Sequence, residues 1–550
     1  MGLGRTLLVY THVHWDTDWY CTHEEYKVYL VSVFSKIVDM LKRGILECFT
    51  LDGQVVLLDE VFSVRPELRD EVKALVSSGR LEIGPWYTQP DLYLVSGESI
   101  IRNLLVGISE AKKYGGHLNV VYIPDTFGHP PQIPQIVKGF DMNVYVFSRG
   151  NPLDIREYGS EFLWEAPDGS RIIALFLPLH YSMYYTLWKV LKLEKLPHDN
   201  WYMLPLSSPN DITLTLKMLI EGIRSRREIL KQYLDYLAKT SLKYSNIDLV
   251  IAPIGDDHQP PRDDLTEILG ILHLLKDKYN IEDDYHGLKH INKILKCSDL
   301  NKLKVYKGEL RSARHRNILW GVLSSRVTLK QLNHEAEILL THYVEPLLIA
   351  RYLILDEDLR DHVRYLWKLL LRAHFHDAIC GTGTDKVYEV TKHLLSEVIH
   401  ASKSLILDTL ARLGRIIQSD QEDCILVFNP VPYDTQVPIY ITLHTRGKDK
   451  PLVRIGEETI PLQKIKDLPL GFSEYMLITK VNALSLHPLN IIYSKDCGEY
   501  SSDLKIYTEN VVENKWIKII VNRDGSLTLI DKRNNKEYGP LNIVIDYGDI

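Results

Sequence analysis

Cysteine is scarce: Cys21, Cys48, Cys297, Cys380, Cys424 and Cys497 are the 6 in 550 residues, and they stand far apart. No close pair suggests a zinc knuckle or a disulfide framework, so a reducing cytoplasm is the expected compartment. Long apolar runs are also missing, with no stretch reaching the roughly 18 uninterrupted apolar residues of a membrane span. The opening Met-Gly-Leu-Gly-Arg-Thr-Leu-Leu-Val-Tyr passes straight into polar residues with no small-residue cleavage site, so no signal peptide is expected. A soluble protein with no membrane partner is the expectation. Positive charge is not in excess either. Lys plus Arg number 65 against 72 Asp plus Glu, a net charge of -7, which leaves no broad basic surface for a phosphate backbone and makes nucleic acid an unexpected partner.

The apolar share of 45% and charged share of 25% are those of a chain that folds. Its length is about three or four typical domains. Over residues 1–300, short apolar runs alternate with helical stretches, which predicts an α/β domain with a parallel, barrel-like sheet of about seven strands. The runs are Thr6–Tyr10, Leu46–Thr50, Leu81–Gly84, Asn119–Ile123, Asn143–Phe147, Arg171–Leu177 and Asp248–Ala252. Residues 301–420 read as a three-helix bundle, with Val387, Val390, Leu394, Val398, Ala401 and Leu405 on one helix face. Residues 421–550 read as a β-sandwich that stops at Tyr547–Ile550 before it is complete.

Polar and aromatic residues follow each predicted strand: His12, His14 and Asp16; Asp52 and Gln54; Trp86 and Asp91; Asp125 and His129; Arg149; His180 and Tyr181; Asp256 and Asp257. In α/β sheets the carboxyl ends of the strands share one rim, so these side chains are expected to converge. His12, His14, Asp16 and Asp18 keep the parity of a strand end and carry the nitrogen and oxygen donors that a zinc-type ion takes, though not all four need be ligands. Asp125, between Pro124 and Phe127, suits a nucleophile or a metal ligand. The adjacent Asp256 and Asp257 repel each other, so one can keep its proton near neutrality and act as an acid. His376 and Asp377 interrupt the helical region within a polar, glycine-containing segment that helix packing does not require, and His376 can complete a metal site from there.

The ordered series His14-Trp-Asp-Thr-Asp-Trp19, Asp52-Gly-Gln54, Gly84-Pro-Trp-Tyr-Thr-Gln89, Pro124-Asp-Thr-Phe-Gly128, Phe162-Leu-Trp-Glu-Ala-Pro-Asp-Gly-Ser170, Gly308-Glu-Leu-Arg311, Ser324-Ser-Arg326 and Phe375-His-Asp377 resembles glycoside hydrolase family 38, the class II α-mannosidases, in its microbial branch. The resemblance implies zinc, with cobalt or manganese as alternatives, held by His14, Asp16, Asp125 and His376. It implies Asp125 as nucleophile and Asp257 as general acid/base. Asp256 remains the alternative acid, because His258-Gln-Pro-Pro-Arg262 replaces a glycine-rich run often found there in microbial relatives. Trp19 and Phe127 would wall the sugar site and Arg149 orient the nucleophile. Asp256, Asp377, His180, Tyr181 and Trp86 are the further candidates for substrate contact.

The function so implied is a metal-dependent retaining α-mannosidase acting on a mannose-containing oligosaccharide or small mannoside, with its two carboxyls about 5–5.5 Å apart. A mannosylglycerate-type hydrolase, a zinc-dependent carbohydrate deacetylase and an inactive sugar-binding remnant are the alternatives. Monomer and homo-oligomer are both left open.

Overall fold

A computed structural model of the chain describes residues 4–182, 226–416, 424–445, 447, 449–495 and 503–545. Cys497 and Tyr547–Ile550 lie outside them. The chain divides into two compact units, Met1–Thr409 and Leu410–Ile550.

The first unit contains the strands β1 (Arg5–Val13), β2 (Phe49–Leu51), β3 (Leu81–Glu82), β4 (Val121–Ile123), β5 (Val144–Phe147), β6 (Glu161–Glu165), β7 (Arg171–Phe176), β8 (Leu249–Ile254), β9 (Ile281–His286) and β10 (Val305–Lys307). They form two sheets, ordered β3-β2-β1-β8 with β9 also paired to β1, and β10-β6-β7-β5-β4. The reason lies in the sequence of β1. Leu7 and Val9 point into a helix-covered apolar layer, whereas Leu8 and Tyr10 point the other way. A strand apolar on both faces must be covered on both. Leu8, Tyr10, Leu249 and Ile251 meet Tyr122, Val144, Val146 and Leu175 of the second sheet in one interior cluster. The outward side of that second sheet, including Tyr145, Phe147 and Phe162, packs on a third cluster.

A single barrel-like sheet of seven strands was the expectation. Each of the seven runs contains a strand, though Leu46–Thr50 does so only from Phe49, but among the described residues the ladders form two five-stranded sheets facing each other, with β6, β9 and β10 added. The β6 strand also runs antiparallel to β7. Apolar alternation could not reveal these three. Two glutamates bracket β6, β9 reads Ile-Glu-Asp-Asp-Tyr-His, and β10 has only three residues.

The helical region likewise differs from a plain three-helix bundle. Val327–Ile338 continues through a π-helical turn, Leu339–Val344, into Glu345–Leu355, and is followed by Arg360–Ala373, the short His376–Cys380, and Asp385–Gly414. By length and composition the run Val327–Leu355 is apolar enough to cross a membrane. Here its polar side chains are tied to the rest of the unit: Glu337 accepts hydrogen bonds from the Ser96 amide and the Ser99 hydroxyl, and Glu345 receives two from Arg102. The buried face of Asp385–Gly414 runs through Val387, Thr391, Leu395, Val398 and Ser402. The predicted stripe shares Val387 and Val398 with that face, while Leu394, Ala401 and Leu405 pack half-buried at its margin; Thr391 and Ser402 were not predicted, because hydrophobicity alone does not mark buried Thr and Ser.

In the second unit, Cys424–Asn429, Ser485–Ser494, Lys450–Ile455 and Glu458–Pro461 make a four-stranded sheet, and Thr435–His444, Phe472–Val481 and Gln463–Asp467 a three-stranded one. Val453, Leu489 and Ile491 from the first meet Ile441, Tyr475 and Leu477 from the second, which is sandwich packing. A separate five-stranded sheet adds the hairpin Ile517–Val521 to Leu527–Asp531, in whose turn Gly525 takes a φ of 81°.

Candidate active site

The end of β1 delivers His12 and His14 to the same side. His12 lies deeper: its Nε2–H reaches the Tyr181 carbonyl at 3.0 Å, and burial lowers its pKa to about 3. His14 donates from Nδ1 to Asp52 Oδ1 at 3.0 Å, and its Nε2 faces Asp16 Oδ1 at 3.1 Å. Asp18 turns away, accepting the His23 amide at the start of the helix His23–Lys42. The alternation thus carries Asp16 as well as His14 to the site, and Asp18 is the first of the series to leave it.

The loop after β4 brings Asp125 to the same place. Arg149, from the end of β5, donates to Asp125 Oδ1 at 2.6 Å and lies over the Phe127 ring at 5.6 Å. The short helix His376–Cys380 adds His376, whose Nδ1 lies 3.3 Å from the Gln89 carbonyl. Its Nε2 lies 3.4 Å from Asp16 Oδ1, 3.8 Å from Asp125 Oδ2 and 3.6 Å from Asp377 Oδ2. The His14 and His376 rings stack at 5.6 Å. One ligand atom each from His14, Asp125 and His376 falls within 4.8 Å of the others, as do atoms of Asp16, His376 and Asp377.

Whether these residues suit a cation is decided by the two imidazoles. Each has Nδ1 directed at an oxygen acceptor, and each Nε2 is buried with no hydrogen-bond partner among the described residues. Two such nitrogens aimed at carboxylates form the donor set of a zinc-type site, and the Asp52 contact to His14 is the outer carboxylate that fixes a ligand's tautomer. Electrostatics agree. Burial opposes charge on His376, but Asp377, Asp16 and Asp125 outweigh it and raise its pKa to about 9. Burial likewise opposes charge on Asp16, yet His14, His258 and His376 hold it well below the usual carboxylate range. The pocket of acids therefore attracts positive charge, which protonated imidazoles supply when no cation does.

Asp257 follows β8, in bridge register with His14. Burial, then the adjacent Asp256 carboxylate, push its pKa well above the normal value, and Asp16 and Asp125 act in the same direction. Asp256 accepts the Asp257 amide at 2.9 Å. Asp377 is raised to about 7, chiefly by burial, and accepts the Thr382 hydroxyl. Tyr181 packs on His14 with ring centroids 5.0 Å apart, and His180 packs on Tyr181 at 4.2 Å. Phe127 meets His376 edge-on at 5.6 Å. Trp19 is tied through its carbonyl to the Thr384 amide, just beyond the His376 helix.

Trp86 requires a correction. It is 0% exposed and packs among Leu92, Ile100, Leu104, Val121 and Phe147, so it is a core residue, not a sugar contact. The site also contains groups to which the sequence assigned no role. Asp52 accepts His14 Nδ1, the Trp15 amide and Gln54 Nε2. His258 binds Asp16. Asp52 was visible as an acid after a strand, but nothing in the sequence showed that His258 turns back toward β1.

Residues 5–285 match the glycosyl hydrolases family 38 N-terminal domain, and residues 317–413 match the alpha mannosidase middle domain. The chain belongs to glycosyl hydrolase family 38. It is 26% identical, over its whole length, to a Halalkalibacterium halodurans protein called "Putative mannosylglycerate hydrolase", of which it spans 63%. It is 24% identical to alpha-mannosidase G of Dictyostelium discoideum over 86% of this chain and 41% of that protein. Among solved structures, an alpha-mannosidase from Enterococcus faecalis superposes on 98% of the chain with a TM-score of 0.79, at 24% identity and over 62% of its own length. The chain thus spans about three fifths of the bacterial proteins it matches.

Proposed function

We propose that the protein is a metal-dependent retaining α-mannosidase that removes terminal α-mannosyl groups. The observation that carries this reading is the meeting of His14, Asp16, Asp125 and His376, drawn from three distant parts of the chain, around two unpartnered Nε2 atoms. A bound divalent ion, zinc in the first instance, would supply an electrophilic anchor for sugar hydroxyls. The helical segment within residues 301–420 contributes His376 to it.

The remaining chemistry belongs to the side chains. Arg149 holds one oxygen of Asp125, leaving the carboxylate in one orientation for attack on the anomeric carbon. Asp257, whose burial and neighbouring Asp256 carboxylate favour its protonated form, gives its proton to the departing oxygen, and Asp125 carries the glycosyl group. Asp257 then takes a proton from the water that releases the sugar. Asp257 fits this role better than Asp256, which is engaged with the Asp257 amide. Phe127, Tyr181 and Trp19 surround the site as apolar walls.

A small mannoside such as mannosylglycerate is the second reading of the substrate, favoured by the relative that aligns with the entire chain. The test is hydrolysis of an aryl α-mannoside and of mannosylglycerate by the wild type, by Asp125→Ala, and by the chelated protein. Activity surviving both the substitution and chelation would end the proposal, and acetate release from an acetylated sugar would replace it with a deacetylase.

A further inference from the structure

His258 lies one residue beyond the proposed acid, and no step of the chemistry above uses it. Its Nε2–H donates to Asp16 Oδ2 at 3.0 Å. Asp16 Oδ1, the other oxygen of the same carboxylate, faces His14 Nε2 at 3.1 Å and His376 Nε2 at 3.4 Å. The His258 ring cannot easily swing away, because it stacks on Tyr26 at 4.3 Å with planes 22° apart and touches Trp15 at 4.7 Å. Its backbone takes a φ of 54°, a left-handed conformation that histidine adopts more readily than most non-glycine residues. The backbone is held there by a hydrogen bond from the His258 amide to the His14 carbonyl at 2.9 Å. One residue is therefore joined to two elements of the opening motif, to His14 through its backbone and to Asp16 through its ring.

We infer that His258 is a positioning residue for the cation site: it occupies Asp16 Oδ2 and so presents Asp16 to a metal through Oδ1 alone, locking the loop that carries Asp257 to the ligands of β1. This rests on the metal reading of the site given above. A carboxylate whose outer oxygen is released can rotate, and loss of such an outer partner typically weakens metal affinity about 10–100-fold.

The test uses two variants. His258→Phe keeps a ring between Tyr26 and Trp15 but removes the donor, and His258→Gln restores an N–H near the Nε2 position. Zinc affinity is measured on the metal-free full chain by competition with a chromophoric chelator, with circular dichroism and thermal melting of the metal-free proteins as the check on folding. The expected result is about 10–100-fold weaker zinc binding by His258→Phe, with most of the affinity regained in His258→Gln. Wild-type affinity in His258→Phe would overturn the inference, as would equal losses in both variants, since restoring the N–H would then recover nothing. Failure of the wild type itself to bind zinc would overturn the metal reading beneath it, so the two failures are distinguishable.

Discussion

Glu161 permits a sharp test of how the second sheet is held. It opens β6 and is 1% exposed. Its carboxylate accepts the Ser160 hydroxyl at 2.9 Å, the Ser245 hydroxyl at 3.2 Å and the Asn246 amide at 2.7 Å, linking β6 to the segment that enters β8. Burial nevertheless dominates, raising its pKa from 4.5 to about 7. Between these two values the folded state binds a proton that the unfolded chain has released, so stability falls as pH rises through that window. At about 1.36 kcal/mol per unit, the raised pKa removes about 3 kcal/mol of stability by pH 8 relative to pH 4. Gln, which has the same shape and no charge, escapes this loss while keeping an acceptor for the Asn246 amide. Urea denaturation of wild type and Glu161→Gln across about pH 4 to 8 measures it. The difference should move in favour of the variant by about 3 kcal/mol as the pH rises. A difference that stays flat over that range, or moves toward the wild type, would refute the reasoning.

Other predictions concern the site and its surroundings. Trp86→Ala should lower stability by about 3–5 kcal/mol through the cavity it leaves, without a specific rise in KM; a KM effect without destabilisation would return Trp86 to the sugar site. Asp257→Asn should reduce kcat/KM about 10²–10⁴-fold on mannosides with poor leaving groups, and much less with a nitrophenyl leaving group. Because the Asp257 pKa is raised and its protonated form is required, wild-type activity should decline as pH rises through that pKa, and the Asn variant should lack this limb. Adding zinc at about 100 times its dissociation constant to chelated protein should stabilise it by about 2.7 kcal/mol, read as a rise in Tm, and His376→Ala should abolish most of the rise.

The sequence was most legible where chemistry followed regular geometry. In β1, alternate residues point to opposite faces, so the sequence alone places His14 beside His12 and at the rim. Asp125 and the Asp256, Asp257 pair stood out as acids that follow strands apolar on both faces, while the choice of Asp257 within the pair came from the family resemblance. His376 was a different case. Only a polar segment interrupting helices marked it, and its meeting with Asp16 and Asp125 depends on long-range packing. Trp86 misled because a tryptophan after a strand end serves equally well as core or as platform; only burial on all sides distinguishes them. His258 escaped because its significance lies in a left-handed turn that carries the ring back to Asp16. The β6 strand escaped because its ends are glutamates, whose burial becomes tolerable only with partners such as Ser245, Asn246, Arg171 and Lys307.

The cation site itself is tested most directly by anomalous diffraction at the zinc edge from crystals of the zinc-loaded protein. One strong peak should lie within bonding distance of His14 Nε2, Asp16 Oδ1, Asp125 and His376 Nε2, at about 2.0–2.2 Å for nitrogen and oxygen ligands. A peak elsewhere in the molecule, or none at these four residues despite saturating zinc, would contradict the account.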